Sequence, residues 1–283
     1  MNKTLVKILS VLFPNRVVSF AYNQLTNPQI TKLRPHEIEV LETSRKETLR
    51  FHDFDIALYT WQGGSDSVLL IHGWEGQAGN FADMIEELLA NHYTVYAFDA
   101  PSHGYSSKGS TSLFEFTELV GLLIKKFNVK KLVSHSFGGV ATTYALYNNK
   151  DIVIDKYVLL TTPDKFIERI NDVSEYVGIP DTIKQRLIAR LEQETGQNVE
   201  LLNVSTFVQS INVAQALIIH DVDDKVIPIA RSRNVHQHWK ESAFVEVHNT
   251  GHFRILRTKE VITTVIKFLQ PNTQKDAAHH TTP

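Results

Sequence analysis

One stretch, residues 131–145 with the sequence KLVSHSFGGVATTYA, constrains the fold of this chain more than any other. Its first four residues are typical of the end of a short buried strand, and residues 140–147 are typical of a helix. Ser136 must then lie on the turn between them, where the backbone is strained and the nearby residues must be small. Such a turn would point the Ser136 hydroxyl outward above a sheet and place the Phe137 amide at a helix N-terminus, which favours negative charge.

Composition sets wide bounds on the rest of the chain. With 283 residues, of which 42% are hydrophobic, the chain can bury a large core, and one large α/β domain with an insertion is favoured. The 29 basic and 31 acidic residues give a net charge of −2, which argues against an overall attraction to nucleic acid or to an anionic membrane. The absence of cysteine excludes disulfides, thiolate chemistry and cysteine-based metal sites, and we expect neither a metal nor a cofactor.

The N-terminal residues 1–46 are predicted to be a helical extension. Four apolar side chains recur at helical spacing beside Lys3 and Lys7, and they are Leu5, Ile8, Leu9 and Leu12. The pattern predicts an amphipathic helix that docks on the domain, with a weak membrane-surface contact or a secretory signal as the alternatives. The apolar run is too short to span a bilayer, so we expect a cytoplasmic protein. An irregular connector over residues 23–35 and a short charged helix over residues 36–46 should follow.

From residue 47 onward, strand and helix patterns alternate. A hairpin with strands at 48–51 and 56–61 is followed by a doubly buried strand at 67–71. Repeated βα units are then predicted, which imply a mostly parallel sheet. The predicted helices are 81–90, 113–127, 140–147 and 259–269. The further predicted strands are 94–98, 131–133, 156–160, 216–220 and 244–247.

The alternation pauses between residues 163 and 210, where the pattern is helical and contains no convincing strand. Ile183, Leu187, Ile188 and Leu191 form one apolar face within this segment. Because the insertion follows the C-terminal end of a strand, where open α/β sheets bind ligands, we predict a cap over Ser136. A peripheral helical pair is the alternative. The main domain should end near residue 270, and residues 271–283 should form a disordered tail.

Two further motifs follow predicted strands in the first half of the chain. In HGWEGQAGN, His72 and Gly73 bring the backbone close to the expected site, so that the Trp74 amide could supply a second oxyanion donor. His72 is given no proton-transfer role. In DAPSHGYS, we expect Asp99 and His103 to be structural, because nothing else in that turn resembles a nucleophile or a metal site.

A serine motif alone recurs by chance, so the catalytic interpretation depends on two motifs in the second half of the chain. HDVDDKVIP offers a carboxylate at the end of the penultimate strand, and NTGHFRIL places His252 after the last strand. The acid could be Asp223 or Asp224, with Asp164 as a more distant alternative. The order Ser136, Asp224, His252, each just past a strand end, is the chain order of one class of serine triad.

With these motifs, the sequence resembles the α/β-hydrolase superfamily, in particular its lipase- and esterase-like branch with a small helical cap. The likeness covers about residues 48–269 and rests on LLIHGWEG, FDAPSHGYS, SHSFGG, IIHDVDDKVIP and GHFRIL, in that order. It implies Ser136 as nucleophile, His252 as general base, and Asp224 as its orienting carboxylate. The amides of Trp74 and Phe137 would form the oxyanion hole. The sequence departs from the family pattern at Ser134, Ser102 and Asp221, which stand where glycines are usual.

The resemblance and the residues together predict hydrolysis of a small carboxylic ester through an acyl-serine. A serine at the nucleophile position disfavours relatives that react through an aspartyl ester. Thioester, amide or carbon–carbon hydrolysis remain as enzyme alternatives, and a catalytically silent binding protein is the alternative of another class. A peptidase would want acidic residues in the cap, for which Glu168, Glu175 and Glu192 are available, although solvation explains them equally well. The sequence indicates neither the acyl length nor the oligomeric state.

Overall fold

The structure, a computed structural model that describes residues 3–271, contains a central sheet of eight strands within that part of the chain. The spatial order of the strands is β1-β2-β4-β3-β5-β6-β7-β8. Their bounds are β1 Arg45–Phe51, β2 Phe54–Trp61, β3 Ser67–Ile71, β4 Thr94–Phe98, β5 Lys131–His135, β6 Val153–Leu160, β7 Asn212–Asp221 and β8 Ser242–Val247.

The sheet is parallel from β4 to β8 and antiparallel at the edge formed by β1 and β2. Parallel strands need crossovers, which are supplied here by helices on both faces of the sheet. The central strand β3 is almost continuously apolar, and both β3 and β5 are buried, as expected for strands covered on both sides. The predicted α/β fold class is therefore confirmed.

The α-helices of the described part of the chain cover both faces of the sheet and form the N-terminal extension. Their bounds are α1 Lys3–Leu12, α2 Pro14–Thr26, α3 Pro35–Glu42, α4 Ala82–Ala90, α5 Leu113–Phe127, α6 Phe137–Asn148, α7 Phe166–Val177, α8 Asp181–Thr195, α9 Val204–Phe207, α10 Ile229–Gln237, α11 Gly251–Arg254 and α12 Lys259–Leu269.

The N-terminal region differs from the prediction in two places. Pro14 is the first residue of α2, where a missing amide hydrogen costs nothing, so it starts a second helix that reaches into the predicted connector. The helix expected over residues 36–46 ends at Glu42, because Arg45 and Lys46 pair in β1 with β2. Strand pairing has overridden the weak helical pattern of these charged residues.

The segment predicted to be a helical insertion, residues 163–210, contains α7, α8 and α9. Its apolar residues Ile183, Leu187 and Leu191 are buried, and Ile188 packs against the same core. Helix α2 packs against both α7 and α8, so the N-terminal extension and the insertion form one helical layer. The cavity described below lies between this layer and the end of β5.

Two predicted features concern the ends of the chain. None of the helices within residues 3–271 is long and apolar enough to cross a membrane. Of the tail predicted over residues 271–283, only Pro271 belongs to the described part, and residues 272–283 lie outside it.

Candidate active site

Ser136 occupies a strained turn between β5 and α6. Its backbone angles are φ 51° and ψ −124°, a conformation that a residue with a Cβ adopts only when its surroundings impose it. The Ser136 amide donates to the carbonyl of Leu160 at 2.9 Å, and its carbonyl accepts from Gly139 at 2.9 Å. The turn is therefore fixed on both sides by main-chain bonds, and the Ser136 side chain is held at the carboxyl end of the sheet.

Two glycines allow other backbone segments to approach this turn. A Cβ on Gly73 would lie 3.0 Å from the Cβ of Ser136, and a Cβ on Gly138 would lie 2.3 Å from the carbonyl oxygen of His72. The second distance is far below any real carbon–oxygen contact, so a larger residue at Gly138 would push α6 away from the loop after β3. These contacts place the HGWEG loop directly beside Ser136.

Three predicted residues come together in one hydrogen-bonded chain. His252 Nε2 lies 3.0 Å from Ser136 Oγ, and His252 Nδ1 lies 2.8 Å from Asp224 Oδ2. The three side chains come from the loops after β5, β7 and β8, whose carboxyl ends meet at one edge of the sheet. Gly251 has φ 63°, and this left-handed turn directs the His252 ring toward Ser136. In the neutral imidazole with a proton on Nδ1, Nε2 would be free to accept the serine proton.

Asp224 is the carboxylate that faces His252, while its neighbour Asp223 is exposed to solvent. The second oxygen of Asp224, Oδ1, accepts from the amides of Val226 at 2.7 Å and Ile227 at 2.9 Å. Burial alone would raise the pKa of Asp224, but the hydrogen bond from His252 and the two amides outweigh it, so this pKa lies below its ordinary value. Asp224 is thus held as a carboxylate with both oxygens occupied.

Asp221 joins the loop that contains the acid to the loop that contains the histidine. Its Oδ1 accepts from the Asp223 amide at 2.7 Å, and its Oδ2 accepts from the amide and hydroxyl of Thr250 and from the Gly251 amide. Burial would raise the pKa of Asp221, but these donors lower it to about 2. At a position where the family pattern favours glycine, this chain therefore has a buried carboxylate that connects the two loops.

His135 also supports the loop that contains His252. Its Nε2–H donates to the His252 carbonyl at 2.8 Å. Complete burial, together with the neighbouring His252 ring, lowers the pKa of His135 to about 3, so the ring stays neutral through the neutral range. A neutral ring with its proton on Nε2 is the tautomer that this bond requires.

Trp74 and Phe137, the residues predicted to supply the oxyanion hole, line the same cavity as Ser136. Phe137 is the first residue of α6, so its amide has no partner within the helix. Within residues 3–271, neither amide donates a hydrogen bond to a protein group. The Trp74 and Phe137 rings pack edge-to-face at 5.3 Å, which holds the two peptide units together.

The predicted structural residues of the two neighbouring loops are held by local bonds. Asp99 accepts from the Tyr59 hydroxyl and from the amides of Ala78 and Tyr105. His72 Nε2 accepts from the Ala100 amide at 3.0 Å. These residues brace the loops around the site, and none of them contacts Ser136 through a hydrogen bond. Within residues 3–271, no group of three His, Asp or Glu side chains is arranged to hold a metal ion.

A cavity of about 490 Å³ opens above Ser136 and His252. Its walls come from the HGWEG loop, from α6 and from α7 of the insertion, and they combine apolar with charged side chains. The apolar lining residues include Phe137, Val140, Phe166, Val173 and Val177. A space of this size can accommodate a small acyl group next to the serine.

Comparison with known proteins identifies the fold. Residues 66–198 match the family model described as the alpha/beta hydrolase fold. An esterase from Exiguobacterium antarcticum superposes with a TM-score of 0.63 over 80% of this chain and 100% of the esterase, at 17% identity. This chain has the α/β-hydrolase fold.

Curated relatives of this chain match over short segments. A pimeloyl-[acyl-carrier protein] methyl ester esterase of Xylella fastidiosa is 43% identical over 51 residues, which are 18% of this chain and 20% of the esterase. The dihydrolipoyllysine-residue acetyltransferase component of an acetoin cleaving system of Cupriavidus necator is 31% identical over 113 residues, or 38% of this chain and 29% of that protein. The matched segments thus cover less than a third of either relative.

Ser134 and Ser102 show how this chain accommodates side chains where the α/β-hydrolase pattern favours glycine. Ser134 belongs to β5, and its hydroxyl lies 2.9 Å from the Tyr157 hydroxyl, away from the turn itself. Ser102 takes φ 67°, the strained value that a glycine would adopt without cost, and its hydroxyl accepts from the Gly109 amide. Each of these two serines therefore gains a hydrogen bond through its hydroxyl group that a glycine could not make.

The sequence does not predict the contacts of His135 and Asp221, nor the position of Arg169 in the cavity wall. His135 acts on a residue 117 positions away, and Asp221 on residues 29 and 30 positions away, so no local pattern reveals these bonds. In the sequence, Asp221 stands out only because a glycine is usual at its position. Arg169 lies one turn after Phe166 on the inward face of α7, and its charge within an apolar helical face was the one available signal.

Proposed function

We propose that this α/β hydrolase cleaves carboxylic esters through an acyl-enzyme on Ser136. The observation that carries the proposal is the unbroken hydrogen-bonded chain from Ser136 Oγ through His252 to Asp224, at 3.0 and 2.8 Å, at the base of a cavity with apolar and charged walls. A serine hydroxyl is a weak nucleophile on its own, and an adjacent oriented histidine is what activates it.

In the first half-reaction, Ser136 Oγ attacks the ester carbonyl carbon while its proton passes to His252 Nε2. The carbonyl oxygen becomes negatively charged, and the amides of Trp74 and Phe137 would donate to it. Asp224 stabilises the imidazolium that forms. When the tetrahedral intermediate collapses, the carbon–oxygen bond to the leaving alcohol breaks and His252 returns the proton to that oxygen.

In the second half-reaction, water attacks the acyl-serine and gives one proton to His252 Nε2. The second tetrahedral intermediate releases the carboxylic acid and returns the proton to Ser136 Oγ. The enzyme is thereby restored without any group beyond the three side chains, the two amides and water.

The three acidic residues of the insertion that a peptidase could use are paired or exposed, which favours esters over amides. A peptidase site would need a free carboxylate to hold a substrate amine, but Glu168 pairs with Arg231 at 3.0 Å and Glu192 accepts from the Val199 amide. Glu175 is exposed on the outer side of α7. Thioesters remain candidate substrates, because their hydrolysis uses the same acyl-serine. The structural similarity to the Exiguobacterium antarcticum esterase supports the ester class.

Labelling with a fluorophosphonate tests the nucleophile, and release of p-nitrophenol from short-chain esters tests turnover. We expect one label per chain, located on Ser136, and no labelling or turnover in Ser136→Ala. Ser210→Ala, which changes an exposed serine, should behave like the wild type. Labelling that survives in Ser136→Ala would refute the site, and a folded wild type that neither labels nor turns over any ester would favour a binding protein.

We further propose that the N-terminal helices make a weak contact with an anionic membrane surface. The first 36 residues contain five basic side chains and no acidic one, although the whole chain has a net charge of −2. Several large apolar side chains of α1 and of the link to α2 are exposed, and they are Leu5, Ile8, Val11, Leu12 and Phe13. Basic residues beside exposed apolar ones are typical of helices that lie in a lipid interface.

A further inference from the structure

Arg169 places a positive charge in the wall of the cavity that contains the proposed nucleophile. It lies on α7, on the same helical face as the buried Phe166 and Val173, and all three line the cavity together with Ser136. Arg169 also borders a smaller adjoining space next to Leu113. Its guanidinium is therefore directed toward the substrate space and away from the bulk solvent around the insertion.

No carboxylate neutralises this charge directly. Within residues 3–271, Arg169 takes part in no ion pair and no side-chain hydrogen bond, although Glu75 and Asp172 are near enough to influence it. Burial lowers the pKa of Arg169, and these two carboxylates raise it only in part. An arginine nevertheless remains charged at neutral pH.

Arg231, which lines the same cavity, provides the contrast. Its Nε lies 3.0 Å from Glu168 Oε2, and its Nη1 and Nη2 lie 2.8 and 3.1 Å from the two oxygens of Asp172. Both oxygens of Asp172 are thus bonded to Arg231, so Asp172 forms no bidentate pair with Arg169. The cavity contains one satisfied arginine and one without an acceptor.

A partly buried charge without a partner is destabilising, so a partner supplied by the ligand would recover interactions that the free protein lacks. We propose that Arg169 binds an anionic group of the substrate, a carboxylate or a phosphate, that is separate from the ester that is cleaved. This inference rests on the proposed ester hydrolysis and narrows its substrate class to negatively charged esters. The planar guanidinium can hold either anion with two parallel hydrogen bonds.

Matched pairs of esters test the proposal. Monomethyl esters of succinic, adipic and suberic acid are compared with methyl butanoate, hexanoate and octanoate, and monoacylglycerol phosphates are compared with monoacylglycerols. We expect the wild type to favour the charged member of at least one set by about tenfold or more in kcat/KM, as expected for a charge-assisted pair. The set that shows the preference distinguishes a carboxylate from a phosphate.

Arg169→Met should remove this preference, mainly through KM, and leave the neutral esters within about threefold. Arg169→Lys should restore part of it, and Arg186→Met, which changes an exposed arginine of α8, should change nothing. Because Arg169 makes no bond in the free protein and its partly buried charge is destabilising, the methionine variant should have a melting temperature equal to or above that of the wild type. A wild type without preference for charge, or an Arg169→Met variant that loses charged and neutral esters equally, would overturn the inference. Loss of all labelling and turnover in the wild type would instead refute the proposed hydrolysis itself.

Discussion

The imidazole of His135 donates a hydrogen bond of 2.8 Å from Nε2 to the main-chain carbonyl of His252. The residue that precedes the proposed nucleophile thus holds the loop of the proposed base. The two rings lie 4.9 Å apart, and the His135 ring is buried and neutral. His135 is a positioning residue in this arrangement, because its influence on Ser136 passes through His252.

We expect His135→Phe to lower kcat about tenfold with little change in KM. The variant leaves the buried His252 carbonyl without its donor, which should cost about 1–3 kcal/mol of stability and loosen the histidine loop. His135→Gln, whose amide can donate to the same carbonyl, should recover most of kcat. Both kcat and KM follow from initial rates measured over a range of concentrations of one ester. A phenylalanine variant with unchanged kcat would show that the bond is only structural.

Asp221 should make stability depend on pH in the acid range. Its pKa of about 2 in the folded protein lies below the ordinary value of 3.8, so its contribution is present above pH 4 and is lost as the pH falls toward 2. The difference between these two pKa values corresponds to about 2 kcal/mol in the free energy of unfolding at neutral pH. We expect Asp221→Asn to be destabilised by at least that amount at pH 7, and by much less near pH 2.

Denaturant unfolding at several pH values measures this difference. The buried histidines His72, His103 and His135 also destabilise the fold below pH 6.5, since burial lowers their pKa values. That effect is common to wild type and variant, so it cancels when the two are compared. Asp223→Asn is the matched control, and an equal loss of stability in both variants would argue against a special role of Asp221.

The central elements could be predicted from sequence because local signals define them. Helix α5 begins after Ser112, whose hydroxyl accepts from the Glu115 amide, and ends at Asn128 in a left-handed conformation. Helix α10 was not predicted because only Ser232 and Val235 of its nine residues are buried, so its apolar pattern is weak. The bonds of His135 and Asp221 join distant positions, and the charge balance around Arg169 needs the fold before it can be recognised.

The N-terminal helices should bind anionic vesicles and not zwitterionic ones. We expect co-sedimentation with vesicles that contain phosphatidylserine, and release at high salt, because each basic residue near such a surface contributes about 1 kcal/mol through a screened interaction. The double variant Leu5→Glu, Ile8→Glu should lose most of the binding. Leu201→Glu, at an exposed leucine of the insertion, should not. Equal sedimentation with both kinds of vesicle would exclude an electrostatic contact.

The last prediction separates the adjacent carboxylates Asp223 and Asp224. Asp224 Oδ2 lies 2.8 Å from His252 Nδ1, whereas the Asp223 side chain is exposed. The distant alternative, Asp164, has its oxygens occupied by the Ser205 amide and by Asn234. Of these three carboxylates only Asp224 contacts His252, and it is therefore the one that we propose as the orienting acid.

We expect Asp224→Asn to lose about 10⁴ in kcat, because an amide at this position favours the wrong histidine tautomer. Asp223→Asn should stay within about twofold of wild type, as do most surface substitutions. Both variants should show the wild-type circular dichroism spectrum, which separates loss of chemistry from loss of fold. If Asp223→Asn were the inactive variant, the orienting role would pass to Asp223. If both were active, the proposed chain from Ser136 to Asp224 would not be the one that carries the reaction.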